Sequence, residues 1–364
     1  MRVIVAGGGT AGHINPGIAI AKYIKQKKPS SEIIFVGTQR GLETRLVPRE
    51  GFELRVIKVR GFKRKISLDN VAAVKEVFQG TYQAWRLIKD FKPDVVIGTG
   101  GYVCGPVLFI ASRMKIPTLI HEQNAYPGVT NRILAPFVNA VAVSFKESAR
   151  YFKHSKNLIL TGNPIRCEML SADRSHARQK LGISADRQLV VIVGGSRGAE
   201  RINGSVVEMV AGPYGEEDFS IIFATGEAQY DCVCEKLEGV SKPSLKVVPY
   251  IYDAADVYAA ADLMVCRAGA ITVSEITALG VPSIVIPSPY VTANHQEHNA
   301  RALEEQGAAV VILERDLNGS LLYHQIIRLL GDKDLLARMS KNARKLAIVN
   351  SAEKIYSVLQ EMSR

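Results

Sequence analysis

The sequence predicts an α/β protein of two doubly wound parallel-sheet domains facing across a cleft. Three observations carry that prediction. Short runs rich in valine and isoleucine alternate with longer helix-period segments, the pattern of parallel strands covered on both faces. The pattern restarts near residue 188, where "LVVIVGGSRGAERINGS" repeats the strand, glycine turn and helix of the opening "VIVAGGGTAGHINPG". A length of 364 residues suffices for about two domains, each with its own core.

The first half holds apolar runs at residues 3–6, 33–36, 95–97, 118–120 and 141–143. The second holds them at 190–193, 221–224, 246–248, 263–266, 283–286 and 309–312. Each is short, rich in β-branched residues and followed by an amphipathic stretch, which reads as strand then helix. Between the halves, "TGNPIR" at 161–166 interrupts both helix and strand and marks the link. The expected domains are 1–163 and 164–345, with a C-terminal helix at 346–364 completing the first. In open sheets of this kind ligands bind beyond the carboxyl ends of the strands, so the site is sought in those loops.

Composition narrows the class. A hydrophobic content of 47% and a charged content of 22% describe a globular chain. Five scattered cysteines, at 104, 167, 232, 234 and 266, form neither a CxxC pair nor a disulfide framework, which predicts buried thiols in a reducing compartment. The N-terminal methionine leads straight into a strand and glycines, so no secretory signal is expected, and no apolar run is long enough to span a bilayer. Residues 1–163 carry 25 Lys and Arg against 10 Asp and Glu, whereas the remainder carries 21 against 25. So segregated a charge points to a polyanionic partner for the first half: nucleic acid, an anionic membrane surface or a phosphorylated substrate. Nucleic acid is disfavoured, because the chain has no aromatic-interleaved basic stripe and no recognisable nucleic-acid module.

Gly7-x-Gly9-x-x-Gly12 has the spacing of a dinucleotide fingerprint. A nicotinamide site also needs an acid at the end of the second strand to hold the ribose. That strand ends in Gly37-Thr38, and Glu32 lies at its wrong end, so the dinucleotide reading fails. Similar loops close three further strands: "GTGGY" at 98–102, "GGSRG" at 194–198 and "RAGAITVSE" at 267–275. Four strand ends that open backbone N–H groups toward one cleft read as a site for phosphates, two diphosphates in all.

The motifs "GGGTAGHINPG", "GTGGYVCGP", "HEQNAYPGVTNR", "TGNPIR", "GGSRGA" and "RAGAITVSEITALGVPSIVIPSP…NHQEHNA" resemble, in unbroken order from residue 3 to about 300, those of the MurG family of glycosyltransferases. The resemblance implies the GT-B fold: two Rossmann-like domains, with the acceptor in the first and the sugar nucleotide in the second. It implies inverting transfer of N-acetylglucosamine from UDP-N-acetylglucosamine to the C4 hydroxyl of undecaprenyl-diphospho-N-acetylmuramoyl-pentapeptide. No metal or cofactor is expected. The implied partners are the anionic inner face of the cytoplasmic membrane, to which the protein binds peripherally, and other proteins of cell-wall synthesis. The competing reading is another UDP-sugar enzyme of the same fold, an epimerase or a glycolipid synthase.

On the donor side, a helix starting near Thr272 offers its N-terminus, with Ala270 and Ile271, to a diphosphate. Thr272-x-x-Glu275 also reads as a capping box, while the resemblance puts Glu275 on the uridine ribose. Ser196 and Arg197 supply a hydroxyl and a cation at a second helix start. Arg166 is expected either on the donor diphosphate or in a hinge salt bridge. The resemblance puts the backbone of Ile251 on the uracil and lets the Gln296 amide read sugar hydroxyls; His295 beside it departs from the Gln of many members. Asp332-Lys333-Asp334 reads as helix capping rather than metal binding.

On the acceptor side, two residues are candidates for the base that takes the hydroxyl proton, His13 after the first glycine turn and Glu122 in "LIHEQN". The resemblance puts Asn124 and the backbone of Thr10, Ala11 and Gly12 near the transferred sugar, and Gly100, Gly101 and Tyr102 at the acceptor diphosphate. His121 is read as a hydrogen-bonded core histidine. Phe62, Lys63, Arg64 and Lys65 form a candidate membrane patch. The helical stripe that follows, Leu68, Val71, Val74, Phe78, Tyr82 and Trp85, is expected mainly to face the core.

Overall fold

The computed structural model describes residues 1–363 except 61–67, 196–197, 213–218, 241 and 243. The chain divides into two compact units. Unit 1 comprises residues 1–165 and 348–364, and unit 2 residues 166–347.

Unit 1 is built on seven parallel strands: β1 (Arg2–Gly7), β2 (Glu32–Gly37), β3 (Glu53–Val56), β4 (Val95–Gly100), β5 (Thr118–Glu122), β6 (Ala140–Val143) and β7 (Leu158–Leu160). Their order in the sheet is β3-β2-β1-β4-β5-β6-β7. Five helices, α1 (Ala11–Lys27), α2 (Glu43–Arg49), α3 (Leu68–Phe91), α4 (Cys104–Arg113) and α5 (Val129–Leu134), connect these strands. Two apolar cores form, one with Ile4, Ile34, Val96 and Ile120, the other with Val3, Val5, Phe35 and Ile97. Residues pointing alternately to the two faces explain why these strands read as continuous apolar runs.

Unit 2 repeats the plan with six parallel strands: β8 (Gln188–Val193), β9 (Phe219–Ala224), β10 (Leu245–Val248), β11 (Leu263–Cys266), β12 (Ser283–Val285) and β13 (Ala309–Val311). The order is β10-β9-β8-β11-β12-β13. Its helices are α6 (Cys167–Leu170), α7 (Arg174–Leu181), α8 (Glu200–Ala211), α9 (Tyr230–Lys236), α10 (Ala254–Ala260), α11 (Ala270–Leu279), α12 (His295–Glu304), α13 (Gly319–Gly331) and α14 (Lys333–Leu346). The chain then returns to unit 1, where α15 (Ser351–Met362) buries Ile355 and Leu359 in the core beside α1. Strand order reverses between β1 and β4 and again between β8 and β11, which makes the ends of those pairs the crevices where ligands bind.

The fold class, two parallel sheets of Rossmann-like order, and eleven of the strands coincide with the sequence reading. The edge strands β3 and β7 were not expected: β3 is only half-buried and β7 is three residues long, so neither carries a full apolar run. Helix α3 corrects the expected stripe at Phe78, Tyr82 and Trp85; the side chains of Leu68, Val71 and Val74 lie outside the described residues. Gly80, Ala84, Ile88 and Phe91 face inward, while Phe78, Tyr82 and Trp85 are exposed, Phe78 by 73%. Small residues win the inner face because a Cβ on Gly80 would lie 2.5 Å from the Lys58 carbonyl oxygen. The cysteine reading is corrected likewise: Cys104 and Cys266 are buried, which pushes each thiol up to about 12, but Cys232 and Cys234 on α9 are exposed. Asp332 caps α14, accepting from the Leu335 N–H at 2.8 Å, as expected of that acidic pair.

Candidate active site

At the unit 1 switch point, the loops after β1 and β4 interlock. The Gly8 N–H donates to the Gly100 carbonyl at 3.3 Å, and a Cβ on Gly101 would lie 2.5 Å from the Gly8 oxygen. Only glycine fits there, with φ of +88°. Helix α1 begins at Ala11 after Thr10, so Gly12 and His13 fall in its first turn. The His13 Nδ1 lies 3.1 Å from the Gly8 oxygen and 3.3 Å from the Thr10 hydroxyl. A carbonyl only accepts, so this contact assigns the hydrogen to Nδ1 and leaves the lone pair on Nε2. The imidazole lies against Gly100, where a Cβ would come within 2.6 Å of its Cδ2. Tyr102, next along the loop, is exposed.

One organising residue went unread in the sequence. Glu43 opens α2, is fully buried, and accepts from the Gly9 N–H at 2.9 Å and from the Thr38 N–H and hydroxyl, both at 2.8 Å. Burial raises the pKa of this carboxyl, but hydrogen bonds from Thr38 and Gly9 together outweigh it and hold the group below its usual range. An acid is thus present six residues beyond the second strand, with Oε2 committed to the glycine loop and Oε1 to Thr38. The available signal was an acid among Gly37, Thr38 and Gly41 in "GTQRGLE".

Beyond β5 a second buried carboxylate shapes a loop. Glu122 Oε1 accepts from the Asn124 N–H at 3.0 Å and from its side-chain amide at 3.2 Å. Its Oε2 accepts from the Gly128 N–H at 3.0 Å and from the Asn131 amide at 2.8 Å. Four donors on a buried carboxylate leave it little capacity to receive a substrate proton. His121 is a core histidine: its Nε2 donates to the Gly162 carbonyl at 3.0 Å and Gln123 donates to its Nδ1 at 3.0 Å. Burial pulls its pKa down to about 4, against a smaller upward pull from Gly162, and keeps the ring neutral. Gln123 also donates to the Thr99 carbonyl at 2.9 Å, tying this loop to the one carrying Gly100.

In unit 2, helix α11 begins at Ala270 after the N-cap Gly269, two residues earlier than expected, and glycine has no side chain with which to cap it. Ile271 and Thr272 therefore lie in its first turn, and the capping-box reading of Thr272 and Glu275 is overturned. Glu275 is buried one turn further on and takes the Arg166 guanidinium at 3.1 Å, so among the described residues Arg166 makes an ion pair. Burial raises the Glu275 pKa and Arg166 offsets only part of the rise. Asn299 on α12 donates to the Ala268 carbonyl at 3.0 Å, and Arg267 pairs with Glu314 at 2.5 Å while donating to the Ile286 carbonyl. These residues set the turn ahead of α11, and the sequence reading passed over both. Ile251 is half-buried between β10 and α10. Gln296 Oε1 accepts from the Ser288 N–H at 2.9 Å, which holds the loop after β12. Ser196 and Arg197, and Phe62, Lys63, Arg64 and Lys65, lie outside the described residues.

Two family profiles cover most of the chain: the glycosyltransferase family 28 N-terminal domain matches residues 3–143 and its C-terminal domain residues 189–357. A protein of Acetivibrio thermocellus, named UDP-N-acetylglucosamine–N-acetylmuramyl-(pentapeptide) pyrophosphoryl-undecaprenol N-acetylglucosamine transferase, is 63% identical over 100% of this chain and 99% of its own length. The crystal structure of Acinetobacter baumannii MurG superposes with a TM-score of 0.81 at 30% identity, covering 99% of both chains. This chain belongs to the MurG family. A UDP-GlcNAc 2-epimerase from Neisseria meningitidis shares the fold alone, at 14% identity, a TM-score of 0.67 and coverage of 99% of this chain and 100% of its own.

Proposed function

We propose that this chain transfers N-acetylglucosamine from UDP-N-acetylglucosamine to the C4 hydroxyl of undecaprenyl-diphospho-N-acetylmuramoyl-pentapeptide, with inversion at the anomeric carbon. The observation that carries the proposal is the full-length likeness to a transferase named for this donor and acceptor. The C4 oxygen attacks the anomeric carbon, the bond to the UDP phosphate oxygen breaks, and the hydroxyl proton passes to a base. His13 is that base in this reading. Its Nε2 lone pair is left open by the Nδ1 contact with Gly8, whereas Glu122 already accepts four hydrogen bonds. Glu122 instead shapes the loop of Asn124, which holds the transferred sugar with the backbone of Thr10, Ala11 and Gly12. Gly100, Gly101 and Tyr102 receive the acceptor diphosphate.

Unit 2 takes the donor. The first turn of α11, with Ala270, Ile271 and Thr272, receives the UDP diphosphate and stabilises the charge that builds as it leaves. Arg166, Ser196 and Arg197 add contacts to the phosphates, Glu275 accepts from the ribose hydroxyls, Ile251 meets the uracil and Gln296 the sugar.

The acceptor's lipid requires a membrane surface, and among the described residues no helix is long and apolar enough to cross one. Helix α4 packs between α3 and α5, and Phe78, Tyr82, Trp85, Phe109, Val129 and Ile133 are exposed on the three. Arg86, Lys89, Arg113 and Arg132 are exposed among them, and residues 62–65 precede α3 in sequence. Exposed apolar side chains and exposed cations on adjacent helices suit peripheral binding to the anionic cytoplasmic leaflet. The test of the reaction is incubation with labelled UDP-N-acetylglucosamine and the lipid-linked muramoyl-pentapeptide. Label should appear in a lipid-linked disaccharide; acceptor-independent conversion to another sugar nucleotide, without transfer, would instead support the epimerase reading.

A further inference from the structure

The Gly8–Gly9 peptide group is gripped at both ends. Its N–H, on Gly9, donates to Glu43 Oε2 at 2.9 Å, and its carbonyl, on Gly8, accepts from His13 Nδ1 at 3.1 Å. The carboxylate behind it is buried and locked: Thr38 gives Oε1 two further hydrogen bonds. Three glycines are packed so closely around it that a Cβ on Gly8 or Gly37 would come within 2.6 Å or 2.5 Å of its atoms, and one on Gly41 would overlap it. The side chain therefore has one conformation available, and that conformation points at the Gly9 N–H.

We infer that Glu43 is a positioning residue for His13, acting through the intervening peptide group: carboxylate to N–H, carbonyl to Nδ1–H. A negative charge on the N–H side polarises the peptide and makes its carbonyl a stronger acceptor. The stronger acceptor fixes the imidazole in the Nδ1–H tautomer, aims Nε2 outward, and stabilises the imidazolium formed when Nε2 takes a proton. A buried aspartate does the same by direct contact with the histidine of a serine hydrolase; here one peptide group is inserted between the two. The inference rests on His13 being the base.

The test uses the full-length enzyme and two variants. Glu43→Gln removes the charge; Gly41→Ala keeps it but drives the carboxylate off the Gly9 N–H, and serves where the first variant folds poorly. The tautomer of His13 is read from its imidazole nitrogen shifts, assigned by comparison with His13→Ala, alongside kcat and the donor KM. The wild-type ring should hold its proton on Nδ1, and both variants should show a mixture of tautomers. Their kcat should fall by roughly 10–100-fold, as for loss of an outer partner of a functional histidine, with donor KM within about twofold. An Nδ1–H tautomer unmoved in both variants would overturn the relay, whatever happened to kcat. Undiminished turnover by His13→Ala would overturn the base reading, and the positioning role with it.

Discussion

Glu43 in unit 1 and Glu275 in unit 2 are both buried carboxylates set behind the loop of a switch-point strand, yet they are held by different kinds of partner. Glu43 is satisfied by uncharged donors of its own unit, Thr38 and Gly9, and its pKa is lowered on balance despite burial. Among the described residues Glu275 pairs with Arg166, whose side chain is 53% exposed, and its pKa is raised because burial outweighs that cation. Unit 1 is thus organised before any substrate arrives. Unit 2 keeps a carboxylate whose charged form is under-solvated, and a ligand presenting hydroxyl donors relieves it. In the proposed function the two halves of one repeated architecture divide the work, one holding chemistry in place and the other keeping affinity in reserve.

Substitutions that separate rate from affinity press on this contrast most strongly. His13→Ala should lower kcat by about 10²–10⁴-fold with little change in donor KM, measured in the transfer assay. A rise in donor KM with kcat intact would put His13 on the donor and erase the distinction between the units. Glu275→Gln should do the reverse, raising the donor KM by roughly tenfold through loss of a charge-assisted hydrogen bond, with a smaller effect on kcat. An unchanged KM would leave Glu275 as no more than the partner of Arg166.

The proposed membrane face gives the next effect in size. Phe78→Ser with Tyr82→Ser should release the protein from vesicles containing anionic lipid, while UDP affinity stays the same, because both side chains are exposed and distant in sequence from unit 2. Co-sedimentation at two salt concentrations reads this directly, and binding that survives the double substitution would move the membrane contact elsewhere.

Smallest is the pH dependence of stability, where the two carboxylates have opposite signs. Both start from a reference of 4.5. Glu43, lowered in the fold, contributes stability that is present above that value and lost as pH falls through the folded pKa. Glu275, raised in the fold, costs stability as pH climbs from the reference through its folded pKa. Glu43→Gln should therefore lower Tm at pH 7 and lose that effect in acid, whereas Glu275→Gln should leave Tm at pH 7 equal or higher. Equal losses in both variants at pH 7 would show that the carboxylates are held alike.

How much of this was legible in the sequence follows from what each feature needs. The strands beside the switch points are buried on both faces and announce themselves as apolar runs, and Gly7 to Gly12, Gly100 and Gly101 are visible as glycine clusters after them. The edge strands β3 and β7 are short and half-solvated, so their composition resembles loop. Spacing placed Phe78, Tyr82 and Trp85 on one helical face but could not say that the other face, lined with Gly80 and Ala84, packs closer. Thr272 and Glu275 matched a capping box in spacing, yet the helix starts at Ala270, which a four-residue motif cannot determine. Glu43 escaped because its partners, Gly9 and Thr38, are joined by loop geometry across two strands rather than by any periodicity.

The division between a preorganised unit 1 and a ligand-completed unit 2 is tested most directly by backbone hydrogen exchange with and without UDP. Protection on adding UDP should concentrate in residues 249–253 and 267–275, at the loop after β10 and the first turn of α11. Residues 7–13, already bridged by Glu43 and His13, should exchange slowly without ligand and change least. Marked slowing of residues 7–13 by UDP alone, with the start of α11 unchanged, would contradict the account.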